Sequence, residues 1–414
     1  MIKRLAFLFQ AMVVLVAASS AGDLASFPTG SARWIGTWAA APQLVEVNNL
    51  PPNTTFADKT LRQVVQVSIG GRQLRVRLSN EFGGSPLQIL SAHIAKSAGG
   101  PSIIPGSDRT LLFAGQPSVV APAGTQIVSD PVSLDVEPRS GLTITIRCGV
   151  VPIEITGHPG SRTTSFLADG DAVTTVDLVP VTRVDHWYFI KRIDVLGEGA
   201  DGAIAIVGDS ITDGRGSTTN GNDRWPDQLA SRLAGGAATA HLGVLNAGIG
   251  GNRVLADGLG PSALARLDRD VLAQAGVRWL VVFEGVNDLG AIAHARQKNE
   301  TSPKAADLIA AFDQIIYRAH AAGIRVYGGT ITPFGGSFYD LPRAEADRTA
   351  VNLWIRTSGH FDAVIDFDAA VRDPQIPTKL AAIADCGDHL HLTPAGYRLM
   401  AEAVELNLFH AGSE

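Results

Sequence analysis

Four short segments hold the residue types that acyl-transfer chemistry uses. "IAIVGDSITDGRGS" (204–217) runs an apolar stretch into a small polar turn, with Asp209 beside the hydroxyl of Ser210. "NAGIGGN" (246–252) sets glycines between two asparagines, "EGVND" (284–288) ends in Asn287 and Asp288, and "DCGDHLHLTPAGY" (385–397) carries Asp388, His389 and His391. A serine hydroxyl acts as a nucleophile when a base lies within hydrogen-bond reach, an acid orients that base, and donors face the developing oxyanion. The four segments supply each part once.

Taken singly, each segment has a plainer use. Gly-Asp-Ser after a strand serves equally as a turn and helix cap, with Ser210 or Thr212 in the capping role. "NAGIGGN" suits a tight turn, and it is not a dinucleotide fingerprint, because Arg253 stands where the last glycine of G-x-G-x-x-G belongs. Asn287 and Asp288 suit a helix start, and His389 and His391 suit a surface loop or a metal. No H-E-x-x-H or cysteine cluster completes a metal site, so neither a metal nor an organic cofactor is expected. No G-x-S-x-G pentapeptide occurs either, which argues against the ordinary α/β-hydrolase elbow.

The elements that must position these residues follow from a change of period along the chain. From about residue 30 to 196 short alternating runs are separated by Gly, Pro and Ser turns. "LRQVVQVSIGGRQLRVRLSN" alternates Val65, Val67 and Ile69, turns at Gly70-Gly71 and resumes with Leu74, Val76 and Leu78, a hairpin signal. Many short strands without a helical period predict an all-β sandwich or jelly roll. After "GEGADG" (197–202), strand candidates Ala203–Val207, Leu242–Asn246, Arg278–Phe283, Ile324–Gly328 and Ala363–Phe367 alternate with helical segments. In "SPKAADLIAAFDQIIYRAHAAG", Leu308, Phe312, Ile315, Ile316 and Ala319 share one helix face, Ser302 and Pro303 suit the start and Gly323 the stop. Repeated strand-helix order predicts a parallel sheet covered on both faces, with its site beyond the carboxyl ends of the strands. Each chemical segment follows such a strand, so all four are expected at one sheet edge.

In this order the blocks resemble the GDSL/SGNH hydrolase superfamily, over residues 203–411. The resemblance implies an α/β, flavodoxin-like, three-layer parallel-sheet hydrolase domain, here preceded by an all-β, jelly-roll-like domain over 30–196. It implies Ser210 as nucleophile, His391 as general base and acid, and Asp388 as the acid that fixes its tautomer. The oxyanion donors implied are the backbone N–H groups of Ser210 and Gly251 and the side-chain amide of Asn287. Asp209 and Asp288 read as supports for their turns, and His389 as a structural histidine. The reaction implied is hydrolysis of a carboxylic ester through an acyl-serine intermediate.

The rest of the chain limits where and on what this chemistry acts. At 414 residues and 45% hydrophobic, the chain holds enough apolar material for two domain cores. A formal net charge of -6 without a Lys/Arg run speaks against nucleic acid as a partner. The first residues place Lys3 and Arg4 before an apolar run from Leu5 to Ala18 and small residues to Ala21, the order of a signal peptide over 1–21. That run is shorter than the roughly 20 residues needed to span hydrocarbon, so export without stable membrane insertion is expected, to the periplasm or the medium. In such an oxidising compartment Cys148 and Cys386, the two cysteines, form either one disulfide or two separate thiols. A bridge between them would staple the β domain to the loop carrying Asp388 and His391.

The N-terminal "WIGTWAAAPQ" and the following β pattern resemble a secreted bacterial branch of the superfamily, likened to xylan-processing and lysophospholipase-like enzymes. This implies short-chain or carbohydrate O-acetyl esters, with acetylated polysaccharide as a candidate substrate. A lysophospholipase, lipase or acyl-thioesterase is the second reading, and a catalytically inactive carbohydrate-binding protein the third. Among the tryptophans, Trp279 and Trp354 read as core and Trp225, after the nucleophile loop, as the candidate to line the cleft. "GHPGSRTTSF" (157–166) is either an ordinary turn or a means for His158 or Arg162 to reach across the domain boundary.

Overall fold

A computed structural model describes residues 33–197, 202–291 and 304–409. The leader-like segment 1–21 lies outside them, as do Ser302 and Pro303. Up to residue 197 the chain forms antiparallel sheets. One runs in the order Arg33–Ala39, Ile190–Gly197, Gly71–Asn80, Val132–Val136, with Thr125–Val128 also on Gly71–Asn80. A second orders Thr182–Val184, Ser165–Asp169, Lys59–Gln66, Gly141–Cys148 and Leu87–Gly99, and a small third sheet joins Trp187–Tyr188, Thr156–His158 and Gln43–Leu44. Leu61, Val65, Ile94, Leu142 and Ile144 of the second sheet share one buried core with Leu74, Val76, Leu78, Ile193 and Val195 of the first.

The hairpin expected at Gly70-Gly71 does not form. Lys59–Gln66 pairs with Gly141–Cys148 and Ser165–Asp169, whereas Gly71–Asn80 pairs in the other sheet. Alternation fixes which side chains face inward, and both runs do face inward, but from two sheets that share a core. The turn is a corner between sheets. Gly70 sits so close to Val136 that an added Cβ would meet its carbonyl at 2.2 Å.

From residue 202 the period-3.6 segments and short apolar runs become a five-stranded parallel sheet. Its order is Leu242–Gly248, Gly202–Gly208, Val277–Phe283, Arg325–Gly329, Ala363–Ile365. The chain leaves Gly202–Gly208 toward one side and returns across it to the other, so right-handed crossovers put helix Trp225–Ala234 on one face and Ala305–Ala321 on the other. Leu308, Phe312, Ile315, Ile316 and Ala319 are all buried, as their spacing predicts. The last strand is shorter than expected: Asp366 accepts from the Ala369 N–H and starts helix Phe367–Val371, so Phe367 belongs to that helix.

The β region and the parallel sheet are joined by packing. Strand Arg33–Ala39 lies against the edge strand Leu242–Gly248, so close that a Cβ on Gly243 would stand 2.1 Å from the Gly36 carbonyl. Ser68 Oγ accepts from the Val244 N–H at 2.9 Å, and Leu245 and Ala203 bury into the β-region core. An otherwise open sheet edge is thereby covered. The cysteines do not contribute a staple: both are free thiols. Cys148 is sealed inside its strand, where burial pushes its thiol up to about 12, while Cys386 is exposed beside Asp388.

Candidate active site

The first parallel strand ends at Gly208, and the chain turns at once into the short helix Ser210–Asp213. Asp209 caps it by accepting from the Ile211 N–H at 2.8 Å. Gly208 is required by close approach, since a Cβ there would lie 2.1 Å from Thr212 Oγ1. The turn and the nucleophile are therefore one device. Asp209 makes the turn, and Ser210, at 9% exposure, takes the first helical position at the sheet's carboxyl edge.

His391 arrives there from the other end of the chain. Its Nε2 lies 2.8 Å from Ser210 Oγ, and its Nδ1 lies 2.6 Å from Asp388 Oδ2. Nδ1 donates to the carboxylate, leaving Nε2 to accept the serine proton. Asp388 is itself held by the loop, because Oδ1 accepts from the N–H groups of Leu390 and His391 at 3.1 and 2.8 Å. Burial alone would raise the Asp388 carboxyl, but these donors and the imidazole hold it well below the usual carboxylate range. For His391 burial wins: it lowers the imidazole below its ordinary value against the opposing pull of Asp388, with Arg215 and Arg162 adding to the lowering. Burial thus favours the neutral imidazole, with Nε2 facing the Ser210 hydroxyl.

Gly251 and Asn287 line the same cleft as Ser210 and His391. Gly251 has φ +69, a left-handed conformation suited to glycine. Asn287 Nδ2 donates to the Asn252 carbonyl at 2.8 Å, while its Oδ1 accepts from the Tyr339 hydroxyl at 2.9 Å. With its carbonyl end so occupied, the amide keeps its second N–H for a ligand. Among the described residues, the backbone N–H groups of Ser210 and Gly251 donate to no protein acceptor. All five residues singled out for chemistry are therefore gathered at one edge.

Their supports explain the acids around them. Asp288 accepts from the Val254 and Leu255 N–H groups at 2.8 and 3.0 Å, holding the segment after the Gly251 turn, and burial raises it to about 6. Burial raises Asp209 to about 7, partly opposed by the Ile211 N–H and reinforced by Asp288 and Asp213. Glu284, fully buried, is raised well above its ordinary value by burial and by Asp209, despite Arg266 at 3.6 Å. Three carboxyls beneath one nucleophile cannot all ionise cheaply, and their proton affinity rises accordingly.

Sequence reasoning missed Arg266 and Tyr339, and left His158 open between an ordinary turn and a reach across the domain boundary. Arg266 is fully buried and donates to Asn252 Oδ1 from Nε and Nη2 at 3.0 and 2.8 Å, to the Ala247 carbonyl at 2.6 Å and to the Gly208 carbonyl at 3.2 Å. It ties the nucleophile strand to the Gly251 loop. Tyr339 orients Asn287 from the segment "GGSFYD". His158 crosses from the β region, with Nε2 2.8 Å from Asp213 Oδ1, so segment 157–166 is more than a turn. Trp225, expected at the cleft, is instead fully buried, packed on Phe367 with Nε1 donating to Thr212 Oγ1 at 3.3 Å. Trp279 is buried in its strand, Trp354 packs beside Phe312 and Phe361, and His389 pairs with Asp385 in the open. Among the described residues no group of three or more His, Cys, Asp or Glu side chains gathers as a metal site requires.

The cleft over Ser210 has a volume of about 390 Å³. Gln43, Glu46, Asn49, Pro159, Gly160, Arg162 and His186 of the β region form one side of it. Both regions therefore shape what reaches the serine.

Residues 206–399 match the model of the GDSL-like lipase/acylhydrolase family. Among solved structures, a catalytic mutant of an acetylxylan esterase from Geobacillus stearothermophilus is 20% identical, the match covering 49% of this chain and 91% of that one, with a TM-score of 0.39. An α/β hydrolase from the metagenome of Lake Arreo, Spain, is 19% identical over 49% of this chain and 92% of its own, with a TM-score of 0.38. No curated protein matches the chain.

Proposed function

We propose that the GDSL-like serine ester hydrolase formed by residues 206–399 works through an acyl-Ser210 intermediate and takes short-chain or carbohydrate O-acyl esters outside the cytoplasm. The observation that carries the mechanism is the continuous line Asp388–His391–Ser210, at 2.6 and 2.8 Å, facing Gly251 and Asn287 across one cleft.

Ser210 Oγ attacks the ester carbonyl carbon while His391 Nε2 takes its proton, and the carbonyl oxygen becomes an oxyanion. The Ser210 and Gly251 N–H groups and the free Asn287 N–H receive that charge. His391 returns the proton to the departing alkoxide as the carbon–oxygen bond breaks, leaving the acyl group on Ser210. Water then attacks, losing a proton to His391. Collapse breaks the acyl–Oγ bond, the proton returns to Oγ, and a carboxylic acid leaves. Asp388 stabilises the imidazolium in both halves without taking the proton.

Support for a small, polar substrate is the side of the cleft built by Gln43, Glu46, Asn49 and Arg162. The location outside the cytoplasm rests on the signal-peptide order of residues 1–21. A lipase or lysophospholipase reading has its own observation: Leu259 and Phe338 are exposed apolar side chains at the same cleft, where a longer acyl chain would lie. Turnover of acetyl through palmitoyl esters and of acetylated xylan, with Ser210→Ala as control, separates the two. Preference for acetyl esters supports the first reading, and preference for long chains the second. Activity retained in Ser210→Ala would overturn the mechanism.

A further inference from the structure

We infer that Arg162 and Arg215 form an anion subsite in the cleft over Ser210, so that the preferred ester, with its short acyl group, carries a negative charge such as a carboxylate on its alcohol portion. This rests on the esterase reading above and adds the chemical class of its substrate.

Both guanidiniums line the cleft that holds Ser210 and His391, one from each region of the chain. Among the described residues neither meets a carboxylate, whereas nearby Arg224 has Asp227 and Arg192 has Asp194. Arg162 Nε is buried without any partner. The acids of the cleft are already engaged. Glu46 accepts from the Gln43 and Asn49 amides, each at 2.8 Å, and Asp213 Oδ1 is bound to His158. The two arginines are thus left without a paired carboxylate among the described residues that line the cleft.

Their backbones are fixed for this. Arg162 has φ +50, an unfavourable conformation for any residue with a Cβ, and its neighbours hold it there: Ser161 Oγ lies 3.0 Å from both the Thr163 and Asp185 carbonyls, sharing its one hydrogen between them, and Asn220 N–H donates to the Arg162 carbonyl at 2.9 Å. Arg215 donates its N–H to the Ser210 carbonyl at 2.8 Å and accepts from the Tyr397 hydroxyl at 2.5 Å, which anchors it to the nucleophile helix. Arg162, Arg215 and His391 line the same cleft, and Arg215 is bonded through its backbone N–H to the Ser210 carbonyl. His391 hands its proton to the leaving alkoxide, while the acyl oxygen lies toward Gly251 and Asn287. With the short acyl group proposed above held on Ser210, a charge that meets these guanidiniums is carried by the alcohol portion.

The test uses para-acetoxybenzoate and its neutral counterpart para-acetoxybenzamide, which share an acyl group and shape. At about pH 8, above the titration of His391, the ratio of their kcat/KM values is measured for the wild type, Arg162→Gln and Arg215→Gln. The expected result is a fall in the anionic-to-neutral ratio of roughly 5-fold or more in each variant, and a similar fall in the wild type on adding salt. An unchanged ratio in both variants overturns the subsite. Arg215 is exposed, so its variant keeps the test decisive if Arg162→Gln folds poorly. If neither ester is cleaved by the wild type, the esterase reading fails on its own, and calorimetric binding of the two esters to Ser210→Ala decides the subsite. Tighter binding of the benzoate that disappears with Arg215→Gln upholds it, and equal binding overturns it.

Discussion

The Tyr339 hydroxyl donates to Asn287 Oδ1 at 2.9 Å, and this contact decides which end of the amide faces Ser210. Without it, the carbonyl and amino ends differ by only one hydrogen bond, that from Nδ2 to Asn252. A flipped amide would present a lone pair to the oxyanion. Tyr339→Phe is therefore expected to lower kcat by roughly 10-fold with little change in KM, and Asn287→Ala by roughly 10²- to 10³-fold. Steady-state kinetics on one ester checks both. A Tyr339→Phe effect confined to KM would show that the ring packs against substrate and does not position Asn287.

The pH dependence of kcat/KM has a sign fixed by three side chains. Activity requires neutral His391, and burial lowers the imidazole below its ordinary value, so the acid limb of the profile is expected below about pH 6.5. Arg215 adds to the lowering, and Arg215→Gln should move that limb to higher pH. Asp388 acts in the opposite sense, and Asp388→Asn should move it to lower pH while reducing kcat by roughly 10²- to 10⁴-fold. Profiles measured at constant ionic strength read all three. Shifts of equal sign in both variants would contradict the electrostatic account.

The parts of this site that were legible in the sequence are those written locally. Ser210, Asn287 and the Asp388–His391 pair each stand just past a strand or in one short loop, and parallel-sheet topology brings such places together. Tyr339 and Arg266 were not legible because nothing in their own neighbourhoods marks them, and segment 157–166 offers a reach for His158 without naming its partner. Each acts on a partner more than ten residues away that only the folded chain supplies. The failed hairpin has a related cause, since alternation reports which side of a strand is buried but not which strand lies beside it. Trp225 was misplaced because following the nucleophile loop in sequence does not mean facing its cleft. At the first position of its helix it turns inward onto Phe367.

Asp209 contributes a loss of stability as pH rises toward neutrality. Its folded carboxyl, raised to about 7 chiefly by burial, binds a proton more tightly than the unfolded chain does. The stability it contributes is full below its unfolded pKa of about 3.9 and is lost as pH rises through about 7. Asp288 and Glu284 act in the same direction. The lowered carboxyls Asp270, Asp366 and Asp388 act oppositely below about pH 4, and the lowered His391 acts oppositely up to its unfolded value of about 6.5, so the Asp209 contribution is read by difference. Asp209→Asn keeps an acceptor for the Ile211 N–H and removes the titration, so its denaturation midpoint should decline less between about pH 4 and 7 than that of the wild type. Parallel declines would remove Asp209 from the account.

His158 and Asp213 link the β region to the helix Ser210–Asp213 through one buried hydrogen bond. Both ring nitrogens of His158 face acceptors, Nδ1 the Ala41 carbonyl at 2.9 Å and Nε2 Asp213 Oδ1 at 2.8 Å. Both residues are buried, and Asp213 closes the helix that begins at Ser210. Removing the ring leaves a buried acid without its partner, and His158→Ala is expected to cost about 3 kcal/mol of stability and to lower kcat by loosening the helix under Ser210. Removing both side chains also removes the orphaned charge, so the His158→Ala, Asp213→Ala double variant should lose at least about 1 kcal/mol less than the sum of the single losses. Urea denaturation of the four proteins in the cycle measures this. Additive losses would mean that the contact carries no coupling, and that the β region holds the nucleophile helix by packing alone.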